Sequence, residues 1–333
     1  MKAKMTFTHE ADFRRERDFG AKIGSTFEFV AAQFKPLFKC LAYFVLPGAL
    51  LAGIGIGLFM NKFLAALPQA GSSGAHGPMK IAQGYGTNPF AGTSFVGIGL
   101  AATGFLVAFL LLSSTVYGFV RVRMNLPANE VVQPAQVWAY VSRRLGRVVG
   151  AWLLLSLVML VGMGVVGGCL ALLGPGFVVL LFLPFIWVIV CLALYFPTLW
   201  MEDEGVLAAL RRSFYLVKGK WWSTLGLYLI ISFITGIINY VFLIPVYGLM
   251  AARLMLKLPG SDSELLSVAA MSIYALGWVF TASLPLIALL FQYFNLVERK
   301  EGVGLRLLVG TLGQTAAPQV QNATYQADEE GEY

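Results

Sequence analysis

Residues 149–200 read VGAWLLLSLVMLVGMGVVGGCLALLGPGFVVLLFLPFIWVIVCLALYFPTLW, two apolar runs joined by Gly174-Pro175-Gly176. About 20 apolar residues in helical form cross the hydrocarbon of a bilayer, and each run is long enough. The tight turn makes the pair a membrane hairpin. Outward from it, four more apolar segments of spanning length can be drawn, at 38–60, 95–120, 222–250 and 266–297. The last two are overlong, so tilt or a kink at Pro245 and Pro285 is expected. Of the 333 residues, 58% are hydrophobic and 12% charged. A water-soluble domain carries about 25% charge. Disorder, a secreted disulfide scaffold and a soluble enzyme are excluded, and an all-α integral membrane protein with six transmembrane helices is expected.

The chemistry-bearing minor residues agree. Cys40, Cys169 and Cys191 are an odd set in or beside apolar stretches, which reads as reduced, buried thiols. His9 and His76 are far apart and have no partner cysteines, so no metal or other cofactor is expected. The opening stretch MKAKMTFTHEADFRRERDFG lacks the apolar core of a cleavable signal peptide. Residues 1–18 therefore read as an N-terminal tail, and insertion is expected through the first membrane helix.

Basic residues orient the spans. Twenty of the 24 Lys and Arg fall on one side, and only Lys62, Lys80, Arg253 and Lys257 on the other. Both termini are predicted to be cytoplasmic. The net charge of +7 then lies where anionic headgroups attract it and calls for no nucleic acid.

Three segments preceding the first, third and fifth spans share a helical period. Ile23, Phe27, Val30, Phe34 and Leu37 form one stripe; Trp138, Val141, Leu145 and Val148 form the second; Leu207, Leu210, Phe214, Val217 and Trp221 form the third. Aromatic anchors, basic residues and one apolar stripe suit a helix lying in the membrane interface. The chain is thus read as three elbow-helix-plus-hairpin repeats, 19–123, 130–201 and 204–298, within a membrane domain 19–298. Residues 299–333 form a C-terminal tail, disordered over 314–333, and the external loop 61–94 is expected to be flexible. Arg143, Arg144, Arg147, Arg211, Arg212, Lys218 and Lys220 on the second and third elbows are candidate contacts for lipid headgroups.

Catalytic signals are missing. All 17 acidic residues lie in tails and loops, none in a span, which argues against ion-coupled transport. Glu202, Asp203 and Glu204 read as favourable charge at the N-terminus of the third elbow helix, with a metal or headgroup-amine site as the sharper alternative. Gly162-Met163-Gly164-Val165-Val166-Gly167 matches a dinucleotide pattern but lies in a membrane helix, so close helix packing is expected. Ala49, Gly53 and Gly57 read as another contact face. Gly84-Tyr85-Gly86 lacks the Thr-Val of a potassium filter and is rejected as one.

The stretch PTLWMEDEGVLAALRRSFYLVKG, residues 197–219, resembles a bacterial membrane-domain family. The shared pattern is a proline-ended span, an acidic residue, A-L-x-R-S and a basic-Gly turn into the next span. The family is the membrane domain sometimes fused to glycerophosphoryl diester phosphodiesterases, together with uncharacterised inner-membrane relatives. RDFGAKIGSTFEFV and NLVERKEGVGL resemble segments of those relatives. The resemblance implies an all-helical protein of the bacterial inner membrane. It does not carry the phosphodiesterase activity, whose separate catalytic barrel is absent. The sequence reading is a non-enzymatic inner-membrane protein acting as a scaffold or lipid-interacting partner, with membrane proteins as further partners. The alternative is a small-molecule or lipid transporter whose pathway runs between the hairpins. A close-packed, Gly-lined bundle would favour the first, and a polar cavity between the spans the second.

Overall fold

The computed structural model describes residues 7, 10–71, 95–127, 129–174, 177–304, 306 and 309. His9, His76, Pro175-Gly176, the loop from 72 to 94 with Gly84-Tyr85-Gly86, and the tail from 310 lie outside the described residues. Among the described residues the chain is all-helical: α1 Glu10–Phe13, α2 Phe19–Ala32, α3 Phe34–Phe44, α4 Leu46–Gly71, α5 Phe95–Asn125, α6 Pro134–Ser142, α7 Leu145–Leu173, α8 Val178–Leu192, α9 Tyr195–Met201, α10 Val206–Val217, α11 Trp221–Leu254, α12 Glu264–Thr281 and α13 Ser283–Glu301. Five helical segments are long and apolar enough to cross a membrane, and α3 with α4, bent by 56°, makes a sixth if the pair counts as one. Leu153, Leu157 and Leu160 on α7 and Phe233, Ile237 and Val241 on α11 all point away from the protein. In water such surface would drive aggregation; in lipid it is the matched solvent. The chain is membrane-embedded.

Proline sets most of the breaks. Its ring clashes with the carbonyl four residues back and it has no N–H to donate there. Pro36, Pro47, Pro197 and Pro285 lie just after the interruptions at Gln33, Val45, Ala193-Leu194 and Ala282. Pro285 thus breaks the last span as expected, whereas Pro245 lies inside the continuous α11. Helices α2, α6 and α10 cover the first part of each expected elbow stripe, while Phe34 and Leu37 fall in α3, Leu145 and Val148 in α7 and Trp221 in α11. Asp18 caps α2 by accepting from Ala21 N at 2.6 Å, and the Gln133 N–H at the head of α6 donates to Gln136 Oε1 at 2.9 Å. α10 is separated from α11 by Gly219, whose φ of 82° suits glycine.

Packing is uneven. Helix α4 lies between α5 and α12 at backbone distance. A Cβ at Gly55 would collide with the backbone of Ala101, one at Gly104 with that of Ala52, and one at Gly57 with that of Val268. A Cβ at Gly53 would meet Met271 and Ala275, and Ala49 is buried, so the expected Ala49-Gly53-Gly57 face is a contact face. The α7–α8 hairpin differs. Gly162 faces the Phe185 ring, but Gly164 and Gly167 have nothing within 4 Å of an added Cβ. Close packing along that glycine run is therefore corrected to a single ring contact.

The N-terminal segment is no loose tail. Phe7 and Phe13 are buried with Phe29, Phe119, Phe291 and Phe294 in an aromatic core at the elbow end of the bundle. Phe13 is 1% exposed, Arg17 lies 5.0 Å over the Phe291 ring, and the Arg17 backbone N–H donates to Asn295 Oδ1 at 2.8 Å.

Candidate functional site

A partly open cavity of about 560 Å³ lies between the helices, with walls from α5, α7, α8, α11, α12 and α13 and Phe196 of α9. Sites for small molecules fall in roughly the 300–1,000 Å³ range. One wall is a stripe down α11: Thr224, Tyr228, Ser232, Thr235 and Asn239, at steps of 4, 4, 3 and 4. At 1.5 Å rise per residue the stripe runs about 22 Å, most of a bilayer's hydrocarbon. Thr281 and Tyr274 of α12 extend it sideways at its far end, with the Asn239 amide donating to Tyr274 at 3.4 Å and accepting from Thr281 at 3.5 Å. The opposite wall is apolar, formed by Leu155 and Met159 of α7 and Ile189 and Val190 of α8. The cavity is therefore two-faced.

Two groups in its walls lack partners: the Thr235 hydroxyl and the Trp152 indole N–H are buried without a hydrogen bond. Each such group costs about 1–3 kcal/mol. Asn239 is only weakly satisfied, since contacts of 3.4–3.5 Å are at the limit of hydrogen bonding.

A buried lysine stands behind the elbow-end floor. The Thr224 hydroxyl accepts from Gln292 Nε2 at 2.9 Å. Gln292 Oε1 in turn accepts from Lys22 Nζ at 2.7 Å, and Ser223 Oγ accepts from the same ammonium at 3.0 Å. Lys22 is 2% exposed. Burial, reinforced by Arg299 and Lys220 and opposed by Asp18, pulls its pKa down to about 8. No span supplies this charge; an elbow helix delivers it into the bundle.

The elbows turn inward small or slender residues beside the expected stripes, together with Val141 and Val217 from within them. On α2 the buried set is Lys22, Thr26 and Phe29; on α6 Val137 and Val141; on α10 Ala209, Ser213, Leu216 and Val217. The large residues face outward or sideways, with Phe34 53%, Trp138 42% and Leu207 60% exposed. Phe27, Leu145, Phe214 and Trp221 are half-buried against the bundle. Small and hydroxyl-bearing residues let the elbow approach the protein, leaving the bulky stripe for lipid.

The seven candidate basic residues do not act as one set. Arg144 and Arg147 pair with Asp203, the latter at 3.5 Å, and Arg121 from α5 joins them at 3.3 Å. Arg212 pairs with Glu202 at 2.9 Å and Glu301 at 2.5 Å, and Tyr293 donates to Glu202 at 2.8 Å. Arg143, Arg211, Lys218 and Lys220 are exposed. Reading the acidic cluster as helix N-terminal charge is corrected for two members, since Glu202 and Asp203 tie the three hairpins together at the elbow end. Asp203 does so at φ 56°, a left-handed conformation that aspartate tolerates. Burial would raise its carboxyl pKa, but hydrogen bonds and charge from Arg144, with Arg121 and Arg147, hold it below the usual range. Hydrogen bonding to Glu301 outweighs burial and, with Glu202, raises that of Arg212. Among the described residues no group of three or more His, Cys, Asp or Glu is placed to hold a metal.

A family model for a domain of unknown function, DUF7847, matches residues 45–296, which take in every wall of the cavity. The chain belongs to this family. No curated protein and no solved structure matches it. Helix α2 and its Lys22 lie before the matched region.

Proposed function

We propose that this DUF7847 protein is a non-enzymatic protein of the bacterial inner membrane that binds, and carries, a lipid or small amphipathic molecule between its three hairpins. The observation that carries this reading is the uncharged polar stripe of α11, facing an apolar wall across a cavity. A bilayer-facing helix has no use for a polar face about 22 Å long unless something polar meets it. The Gly-packed α4, α5 and α12 supply the rigid side of the bundle, so scaffolding is what these helices do for the cavity.

In this proposal α3 with α4 is one bent span, giving six, and the three elbows belong to three divergent repeats. Both termini are cytoplasmic, as the basic asymmetry supports. The four exposed residues Arg143, Arg211, Lys218 and Lys220 meet anionic headgroups. The resemblance of residues 197–219 to a bacterial membrane-domain family supports the setting. Reporters at residue 75 and at the C-terminus test the topology; finding both on the same side overturns it. The cavity is tested at Gly236, which lines it and has nothing within 4 Å of an added Cβ. Purified protein is expected to retain an extractable amphiphile, and the Gly236→Leu variant to lose it. Equal retention in the two proteins would remove the cavity from the function.

A further inference from the structure

We infer that the ligand of this cavity is an uncharged lipid whose polar part carries hydroxyl or ester groups, of the diacylglycerol kind. The inference rests on the proposed cavity reading and names its ligand class. Three observations point the same way. First, among the described residues lining the cavity there is no Asp, Glu, Lys, Arg or His. A phosphate or carboxylate drawn between the spans loses its hydration and needs a cation or several strong donors in return. Second, the closest buried cation is withheld. Lys22 is committed to Gln292 and Ser223, and the Gln292 amide and the Thr224 hydroxyl stand between it and the cavity.

Third, the groups left wanting are neutral and of both kinds. The Ser232 and Tyr228 hydroxyls on the wall can each donate and accept. Asn239 has donor and acceptor capacity that its long contacts to Tyr274 and Thr281 leave largely unspent. An ester carbonyl accepts from an amide N–H or a hydroxyl, and a free hydroxyl both donates and accepts, so a glycerolipid without phosphate matches this set. Its acyl chains fit the opposite wall of Leu155, Met159, Ile189 and Val190, four side chains that ask for no hydrogen bond. A monovalent ion or a sugar has no use for that wall. An anionic phospholipid fits it but leaves its phosphate without a counter-charge.

The test uses the full chain in nanodiscs with a photoactivatable diacylglycerol as the probe, and mass spectrometry of the labelled peptides. Labelling is expected within residues 221–254, and it should be competed by unlabelled diacylglycerol but not by phosphatidic acid. Asn239→Leu is expected to cut labelling about tenfold, the effect of one or two lost hydrogen bonds. Ser232→Ala replaces it if that variant is not recovered folded, and should weaken labelling in the same direction. Competition by phosphatidic acid equal to that by diacylglycerol, with labelling still abolished by Gly236→Leu, overturns the uncharged class and leaves the cavity reading standing. Labelling undiminished in Gly236→Leu overturns the cavity reading itself. Absence of labelling in the wild type overturns the ligand class.

Discussion

Two glycine-rich helices of this protein have opposite fates. In α4, Gly53, Gly55 and Gly57 bring three helices to backbone contact; in α7, Gly164 and Gly167 touch nothing. Both stretches are apolar and rich in closely spaced glycine. The difference lies in the partners. Across from α4 stand other small residues, Gly97, Ala101 and Gly104 on α5 and Ala275 on α12, so two shallow surfaces interlock. Across from α7, at Gly162, stands the large ring of Phe185. Small residues bring two backbones together only where the opposing face is shallow as well. One side of the molecule is closed by this rule, and the other is left open around a cavity.

The comparison breaks first where the contact is tightest. Gly55→Leu is expected to cost at least about 3 kcal/mol, because the new side chain meets the backbone of Ala101 and not a movable side chain. Loss of monodisperse protein on gel filtration, or a collapse of its melting temperature, is the readout. A variant as stable as the parent would show that α4 and α5 are not seated this closely. The next largest effect falls on the ion pairs that hold the open hairpin to the closed side. Arg212→Met is expected to destabilise by about 2 kcal/mol, since Glu202 and Glu301 lose a charged partner while staying partly shielded. Thermal denaturation of the purified variant checks it.

A smaller effect separates the elbow end from the rest by pH. Lys22 binds its proton less tightly when folded, down to about 8. From that pH up to the ordinary lysine value near 10.4 the unfolded chain therefore holds more protons, and stability rises with pH. The melting temperature is expected to climb a few degrees between pH 8 and 10. In Lys22→Met that rise disappears; an unchanged rise would place its origin elsewhere. The smallest effect is on the open hairpin. Gly164→Ala should be neutral or stabilising by up to about 1 kcal/mol, because it improves helix propensity without meeting a neighbour. A loss of stability there would mean that α7 has a partner on that face.

Much of this arrangement was legible in the sequence. The long apolar runs gave the spans, but the breaks at Gln33, Arg143-Arg144 and Lys218-Gly219-Lys220 come ahead of the expected span starts at 38, 149 and 222. Val141, Val148 and Val217 of the expected stripes are buried, but the smaller residues that join them inside were not singled out, because large apolar side chains dominate any count of period. Lys22, Thr26 and Ser213 are not what a search for a buried stripe selects. The polar wall of α11 was missed for a related reason. A search for charge at membrane depth passes over Thr224, Tyr228, Ser232, Thr235 and Asn239, although their spacing is that of one helix face. Phe13 stands alone in a charged stretch without periodicity, and the pairing of Glu202 and Asp203 with Arg121, Arg144 and Arg212 links residues up to 82 positions apart. Local pattern does not encode either.

The burial of Phe13 has a consequence for how the protein is made. Its neighbours Phe291 and Phe294, and the Asn295 side chain that receives the Arg17 N–H, are 278 or more residues later in the chain. Synthesis delivers the N-terminus first, at about 5–20 residues per second, so this segment waits tens of seconds for its seat. Until the last span arrives, Phe13 and Phe29 have no Phe291 to cover them. Closure of the elbow end is thus the final event of assembly, and a chain cut short before residue 291 carries an uncovered aromatic cluster at its elbow end that marks it as unfinished.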